Sequence, residues 1–397
     1  MYINDPVYGF IEIHSALFKK IIGHPYFQRL GRIRQLGMGA FVYPGAVHTR
    51  ASHSLGAFHL MKRALDGLAA RGHFMFNAEC EGALAAILIH DLGHSPYSHV
   101  LEQTLIHDAT HEDLTLAMMQ RIDRELQGEL GLAVKIFKNE YPKHFLHDLV
   151  SSQLDVDRLD YLCRDSFYCG VREGNIGAAR LLQMLDLHDD RLAVNFKGLG
   201  SVENYLMSRR LMYGQVYLHK TVVAAEEVLR SALRRARHLA AEGRRLPCSP
   251  ALEYFLYGRR TLNDETLAWF ALLDDSDILS ALKAWSTSDD KVLSMLASAF
   301  VNRRLFRVDV YEEAVSADLL DAHVAETARV LDLSRDEAAY FVTSRTVGKE
   351  MYDARTEGIG ILCADGTIRD VSDLSLLIDR EKAARRDCKH YVFRPRL

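Results

Sequence analysis

A mainly α-helical fold with a small C-terminal α+β region is predicted by three features of the sequence. Apolar residues recur at helical spacing through most of the first half, Gly, Pro and Asn break that spacing into discrete segments, and strand-like runs appear late.

The N-terminus is an exception to the helical pattern. Val7 to Ile13 alternates apolar and other residues around Gly9, which predicts a short hairpin before the first helical run begins near Ala16. Helical spacing then holds over Pro25 to Leu36, Ser54 to Ala70, Ala78 to Leu92 and His111 to Leu126. A longer pattern runs from about Val202 to Ala241, and Arg230, Arg234, Arg235 and Arg237 near its end read as a solvated face. Gly-Arg-Arg-Leu-Pro-Cys-Ser-Pro, from Gly243 to Pro250, interrupts it and predicts a division into residues 1–243 and 244–397. Tyr340 to Val347, Gly358 to Cys363 and Tyr391 to Phe393 read as strands, with Ala364-Asp365-Gly366 as a turn.

The chain has 397 residues, 48% hydrophobic and 26% charged, with 8 Pro and 25 Gly, which is the composition of an ordinary folded protein. A formal charge of -4 gives no global basic field, so nucleic acid is not the expected partner and any polyanion site must be local. The six cysteines contain no CxxC pair and fit a reducing, cytoplasmic setting. The opening Met1-Tyr2-Ile3-Asn4-Asp5-Pro6 lacks the features of a signal peptide and no apolar run is long enough for a bilayer, so no membrane association is expected.

Chemistry concentrates in Ile87-Leu88-Ile89-His90-Asp91-Leu92-Gly93-His94-Ser95-Pro96-Tyr97-Ser98-His99, where an apolar helix delivers imidazoles and a carboxylate at its end. Such groups either satisfy one another by hydrogen bonding or bind a divalent ion through nitrogen and oxygen. The dipeptide alone is unspecific, because His-Asp recurs at His107-Asp108, His147-Asp148 and His188-Asp189. Its neighbourhood adds two further donors: His53 within His48-Thr49-Arg50-Ala51-Ser52-His53-Ser54, and Asp157 within Asp155-Val156-Asp157-Arg158-Leu159-Asp160-Tyr161.

His53, His90-Asp91 and Asp157, in this order, resemble the metal-binding signature of the HD-domain phosphohydrolase superfamily. Gln35-Leu36-Gly37, Tyr43-Pro44-Gly45-Ala46, His53-Ser54-Leu55-Gly56, His90-Asp91-Leu92-Gly93-His94, Asp157-Arg158-Leu159-Asp160-Tyr161 and Tyr217-Leu218-His219-Lys220 resemble, more narrowly, its deoxynucleotide triphosphohydrolase branch, over roughly residues 1 to 240. The resemblance implies an HD-domain helical core and one metal held by His53, His90, Asp91 and Asp157. Mg, Mn, Fe, Ni and Zn all suit that donor set.

His94, His99, Glu102, His111 and Glu112 form a second titratable group, read as catalytic. By the resemblance, His99 and His111 match positions that contact phosphate or move protons, and Glu102 stands where the family has Asp. Arg50, Arg158 and Lys220 match phosphate-contacting positions, Gln35 and Asp165 match groups that bond a 3′-hydroxyl, and Tyr161 and Tyr217 match aromatics packed where a 2′-hydroxyl would sit. His107, His144, His147, His188 and His219 read as surface or capping residues.

Residue chemistry by itself reaches metal-assisted phosphoester hydrolysis. The resemblance extends this to hydrolysis of a deoxynucleoside triphosphate, giving deoxynucleoside and inorganic triphosphate, by a homo-oligomer whose partner is the nucleotide substrate. The competing expectations are a phosphatase acting on nucleoside mono- or diphosphates, a catalytically weak nucleotide sensor, and a single-stranded nucleic-acid binder or nuclease.

Overall fold

The computed structural model describes residues 1–97, 101, 106, 109–349, 352, 358–379 and 387–396. His99, Glu102 and His107 lie outside the described residues.

The chain opens with a hairpin, β1 (Tyr2–Asp5) and β2 (Gly9–Glu12), paired from Tyr2↔Glu12 to Asp5↔Gly9. The hairpin expected over Val7 to Ile13 thus begins earlier: Asp5 Oδ1 accepts from the amides of Val7 and Tyr8 and makes residues 6–8 the turn. Then follow α1 (Ala16–Gly23), α2 (Pro25–Leu30), α3 (Arg50–Ala70), α4 (Asn77–Leu88) and α5 (His111–Glu125). The fold is mainly α-helical, as the apolar spacing predicts.

Two helices end before the sequence pattern does. The expected Pro25 to Leu36 segment stops at Leu30, and Arg34 instead bridges Thr49 as extended chain. α4 stops at Leu88 rather than Leu92, with His90 Nδ1 within 2.7 Å of the Ile87 carbonyl and the chain turning through His90 to Gly93. Apolar residues continue past the helix in both cases because the turns themselves are buried: Ile33, Ile89 and Leu92 are fully inaccessible.

α6 (Gly131–Phe137) and α7 (Phe145–Asp148) lead to α8 (Val156–Cys169), which Asp155 caps through the Arg158 amide at 2.6 Å. α3 packs against both α4 and α8, so the elements carrying His53, His90-Asp91 and Asp157 are direct neighbours. After α9 (Ala178–Met184) comes a strand pair absent from the sequence reading, β3 (Leu185–His188) and β4 (Arg191–Asn195).

The long helical pattern ending at Ala241 is two helices, α10 (Leu199–Met212) and α11 (Lys220–Ala241), separated by a π-helical turn over Tyr213–Tyr217. Arg235 on α11 is not solvated: it grips both Asp290 oxygens, at 3.0 and 2.6 Å, and docks the C-terminal helices.

α12 (Pro250–Leu256), α13 (Asp264–Leu272), α14 (Asp275–Trp285) and α15 (Lys291–Val301) precede β5 (Arg307–Tyr311) and α16 (Ala317–Leu331). The final strands are β6 (Thr343–Lys349), β7 (Gly360–Leu362), β8 (Ile368–Asp370) and β9 (Asp387–Arg394). They form two sheets, ordered β3-β4-β7-β8, with β4 and β7 parallel, and β5-β9-β6. Residue 243 lies just past α11, which ends at Ala241, and one buried apolar cluster runs across that point from Ile11 to Phe393. No helix among the described residues is long and apolar enough to cross a membrane.

Candidate metal centre

Ligand atoms of His53, His90 and Asp91 lie within 4.8 Å of one another. Asp157 Oδ1 lies 3.0 Å from His53 Nε2 and 3.5 Å from His90 Nε2. The remaining nitrogens are occupied elsewhere: His53 Nδ1 bonds Asp160 Oδ2 at 2.8 Å and His90 Nδ1 faces the Ile87 carbonyl. Each imidazole therefore turns Nε2 toward the common point, the arrangement that orients histidines on a metal.

Local sequence explains how these donors meet. Thr49 caps α3, placing Arg50 and His53 in its first turns; the Asp155 cap does the same for Asp157 and Asp160 on α8. Gly56 lets the two helices touch, since a Cβ there would lie 2.0 Å from Asp160 Oδ1. Gly93 lets the His90 turn meet α5 in the same way, a Cβ there falling 2.0 Å from the His111 carbonyl. Thr115 Oγ1 then ties the turn down, accepting from the Gly93 amide at 2.9 Å and donating to the His90 carbonyl at 3.1 Å.

The electrostatics call for positive charge at the centre. Burial opposes protonation of His53, but hydrogen bonds to Asp157 and Asp160 overcome it and raise its pKa to about 10. Burial likewise opposes ionisation of Asp157, while His53 and His90 hold it well below the usual carboxylate range. Arg50, with its guanidinium 2.6 Å from Asp91 Oδ2, and then His94 and His90 keep Asp91 ionised against the same desolvation. A divalent cation meets this demand with the donor chemistry present, mixed imidazole nitrogen and carboxylate oxygen.

A cavity of about 890 Å³ opens beside the centre. Of the residues expected to serve the reaction, Gln35, Arg50, His90, Asp91, His94, His111, Glu112, Asp157, Arg158, Tyr161, Asp165 and Tyr217 all line it. His53 lies fully buried behind His90, with the two rings at 5.2 Å. Lys220 is the exception: it is exposed at the start of α11 and does not line the cavity. His94 sits 3.1 Å from Asp91 Oδ1 and its ring centroid is 4.5 Å from that of His111. Burial and then Arg50 push its pKa down to about 3, so its imidazole is neutral.

At the other end, Tyr217 donates to Asp165 Oδ2 at 2.8 Å, and His48 Nε2 lies 2.7 Å from Asp165 Oδ1. The π-helical turn ends at Tyr217 and delivers that hydroxyl. Tyr161 packs edge-on to Tyr217 at 6.0 Å. Gln35 Oε1 and the Tyr161 hydroxyl are buried on the cavity wall without a hydrogen-bond partner among the described residues. Buried polar atoms of this kind normally have a partner, so both are placed to receive a polar ligand.

Sequence reasoning missed His48, Asp160, His147, Glu226 and Arg345. His147, expected at the surface, lines the cavity with Nδ1 2.9 Å from the Ile136 carbonyl. Asp160 carried a legible signal, standing three residues after Asp157 on the same helix face. Glu226 and Arg345 reach the cavity from α11 and β6 and carried none. His219 caps α11, accepting from the Thr221 amide, as expected.

The chain is 48% identical to a phosphohydrolase from Bacteroides thetaiotaomicron whose crystal structure it matches with a TM-score of 0.97 over 100% of both chains. The chain belongs to the HD-domain phosphohydrolases. Residues 176–245 match the HD associated region family. The Bacillus subtilis protein YwfO is 32% identical over 99% of this chain and 92% of its own. The human deoxynucleoside triphosphate triphosphohydrolase SAMHD1 is 29% identical over 55% of this chain, which spans 42% of the human protein. As an HD-domain phosphohydrolase, the protein is a metal-dependent enzyme, and the His53-His90-Asp91 group is its candidate metal site.

Proposed function

We propose that this phosphohydrolase splits deoxynucleoside triphosphates into deoxynucleoside and inorganic triphosphate. The observation that carries the reading is the continuity of the cavity, from the His90-Asp91-Asp157 cluster past Arg50 and Arg158 to the Gln35, Tyr161, Asp165 and Tyr217 end. It is supported by the likeness to SAMHD1 over about half the chain.

His53, His90, Asp91 and Asp157 would hold the divalent metal, which would supply Lewis acidity and a polarised water. The protein's own groups do the rest. α3, α5 and α8 present their first turns to the cavity through Arg50, His111 and Asp157, and helix N-termini favour anionic ligands. Arg50 and Arg158 neutralise phosphate charge, with Arg158 steadied by the Ser152 carbonyl at 2.6 Å and Asp155 at 3.3 Å. The neutral His94 and adjacent His111 relay a proton. Water oxygen joins the α-phosphorus, the bond to the 5′-oxygen breaks, and that oxygen leaves as the deoxynucleoside hydroxyl after taking the proton.

Asp165, with His48 and Tyr217 on its two oxygens, retains lone pairs for a 3′-hydroxyl, and Gln35 Oε1 is a second acceptor. The Tyr161 and Tyr217 rings close the space a 2′-hydroxyl needs. We extend the proposal to a cytoplasmic homo-oligomer, to be judged by sedimentation of the purified chain. The position of Lys220 leaves it outside the phosphate contacts of this reading.

Product analysis by ion-pair chromatography tests the reaction. Wild type and Asp157→Ala would be incubated with each dNTP and NTP, with Mg, Mn, Fe, Ni or Zn supplied separately. Deoxynucleoside and triphosphate from wild type alone are expected. Mono- or diphosphate products would replace the triphosphohydrolase reading with a phosphatase, and binding without turnover would replace it with a sensor.

A further inference from the structure

Next to Tyr217 in the chain, Leu218 continues the cavity lining, which also includes Val222, Val223 and Glu226 of α11 and Arg345 to Gly348 of β6. This wall is mostly apolar, with one ion pair set into it: Arg345 NH2 lies 3.2 Å from Glu226 Oε2. Arg345 is held over the Phe393 ring at 5.8 Å, and its Nε is buried without a hydrogen-bond partner among the described residues. Phe393 is fully buried on β9, which pairs with β6 from Thr343↔Phe393, so the arginine projects from a fixed sheet.

The Arg345 and Glu226 side chains are only partly buried, yet the Nε of the guanidinium is shut off from solvent, and a buried donor left without an acceptor is costly unless a ligand completes it. To the glutamate the guanidinium donates one bond, from NH2 to Oε2.

We infer that Glu226 and Arg345 are specificity-determining residues that read the edge of the nucleobase and select guanine. The inference rests on the deoxynucleotide reading of the same cavity. With the sugar at Asp165 and Tyr217, we assign the base to the apolar wall that starts at the adjoining Leu218 and carries the pair in the same cavity. A guanidinium donates bidentately to two adjacent acceptors, and a carboxylate accepts from two adjacent donors. Guanine alone among the four bases offers both sets side by side, O6 and N7 next to N1–H and the N2 amine. Adenine separates its acceptors by a donor, cytosine has a single amine, and thymine has a single N–H between two carbonyls.

The test is equilibrium dialysis of the full-length chain, in chelator to prevent turnover, against dGTP, dATP, dCTP and dTTP. Wild type, Glu226→Gln and Arg345→Gln are compared. Wild type is expected to favour dGTP by at least about tenfold, the usual range for one bidentate base contact. Both variants should lose that preference while keeping their dATP affinity, which also reports that they fold. Equal binding of the four nucleotides by wild type, no binding of any, or a dGTP preference unchanged in both variants would overturn the inference. Product analysis of the metal-loaded proteins separates it from the parent reading: selective dGTP binding without triphosphate release leaves base reading standing and removes the triphosphohydrolase.

Discussion

Asp160 Oδ2 lies 2.8 Å from His53 Nδ1, and neither side chain is exposed. Asp160 is itself clamped by Arg164, through Nε at 2.9 Å and NH2 at 3.1 Å, and Arg164 NH1 reaches Asp5 in the N-terminal hairpin at 2.8 Å. A chain of charge thus runs from the first strand to the imidazole of a candidate metal ligand. Asp160→Asn keeps the shape but removes the charge that fixes the His53 tautomer. Divalent-metal affinity should fall about 10- to 100-fold, the usual cost of losing such an outer partner. Isothermal titration with Mn would read the change, and an unaltered affinity would show that Asp160 serves stability alone.

Arg29 is fully buried and bonds main-chain carbonyls: Nε to Leu273 at 2.7 Å, and NH1 to His94 at 2.9 Å and Leu92 at 3.3 Å. Its guanidinium also lies 4.1 Å over the Phe270 ring. Burial lowers its pKa to about 9, with Asp274 and Asp275 opposing the fall. Arg29→Met would fill similar volume but leave these carbonyls unpartnered. Urea denaturation should show a loss of about 3 kcal/mol or more. Because two of the carbonyls, those of Leu92 and His94, belong to the segment that carries the candidate ligands His90 and Asp91, metal affinity should weaken in the same variant.

Glu79 gathers the Lys143 ammonium at 2.7 Å, the Tyr141 hydroxyl at 2.6 Å and the Phe76 amide at 2.8 Å. Burial pushes its pKa up, but those partners outweigh it and hold the carboxyl below its ordinary 4.5. A depressed folded-state pKa means stability that is fully present above the unfolded value and is lost as pH falls through the folded one. Glu79→Gln should therefore melt lower than wild type at pH 7, and the gap should close as pH drops below about 4.5. Parallel melts from pH 7 to pH 3 check this; a gap that stays constant would mean the charge on Glu79 contributes nothing.

The helices that build the centre were legible because their burial is local. α3 and α5 show the 3.6-residue spacing over nearly their whole length, and His53, His90, Asp91 and Asp157 stand in short segments with their own caps and turns. What was illegible is contact across long stretches of chain. β3 and β4 are four and five residues long, and β4 takes its parallel partner from Gly360 to Leu362, so neither half carries the pattern alone. The same return of the chain brings Arg345 to the cavity, and no spacing within β6 marks it. Lys220 shows the converse: adjacency to Tyr217 in sequence did not bring it to the cavity, because the chain leaves the π-helical turn and starts α11 with that side chain outward.

Tyr217 combines two duties that separate variants can divide. Its hydroxyl orients Asp165, and its ring, edge-on to Tyr161, forms part of the cavity wall that the proposed function assigns to the sugar. Burial first, and then the Asp165 charge, push its pKa well above the ordinary tyrosine value, so the hydroxyl stays a donor across the working pH range. Tyr217→Phe removes one hydrogen bond, worth about 1 kcal/mol, and leaves the ring. KM for dNTPs should rise severalfold with kcat little changed, and NTPs should remain excluded. Tyr217→Ala removes the wall as well, so the ratio of NTP to dNTP turnover should climb in that variant alone. Steady-state kcat/KM for matched dNTP and NTP pairs decides it: an equal rise in both variants would assign sugar selection to the hydroxyl, and no rise in either would remove Tyr217 from it.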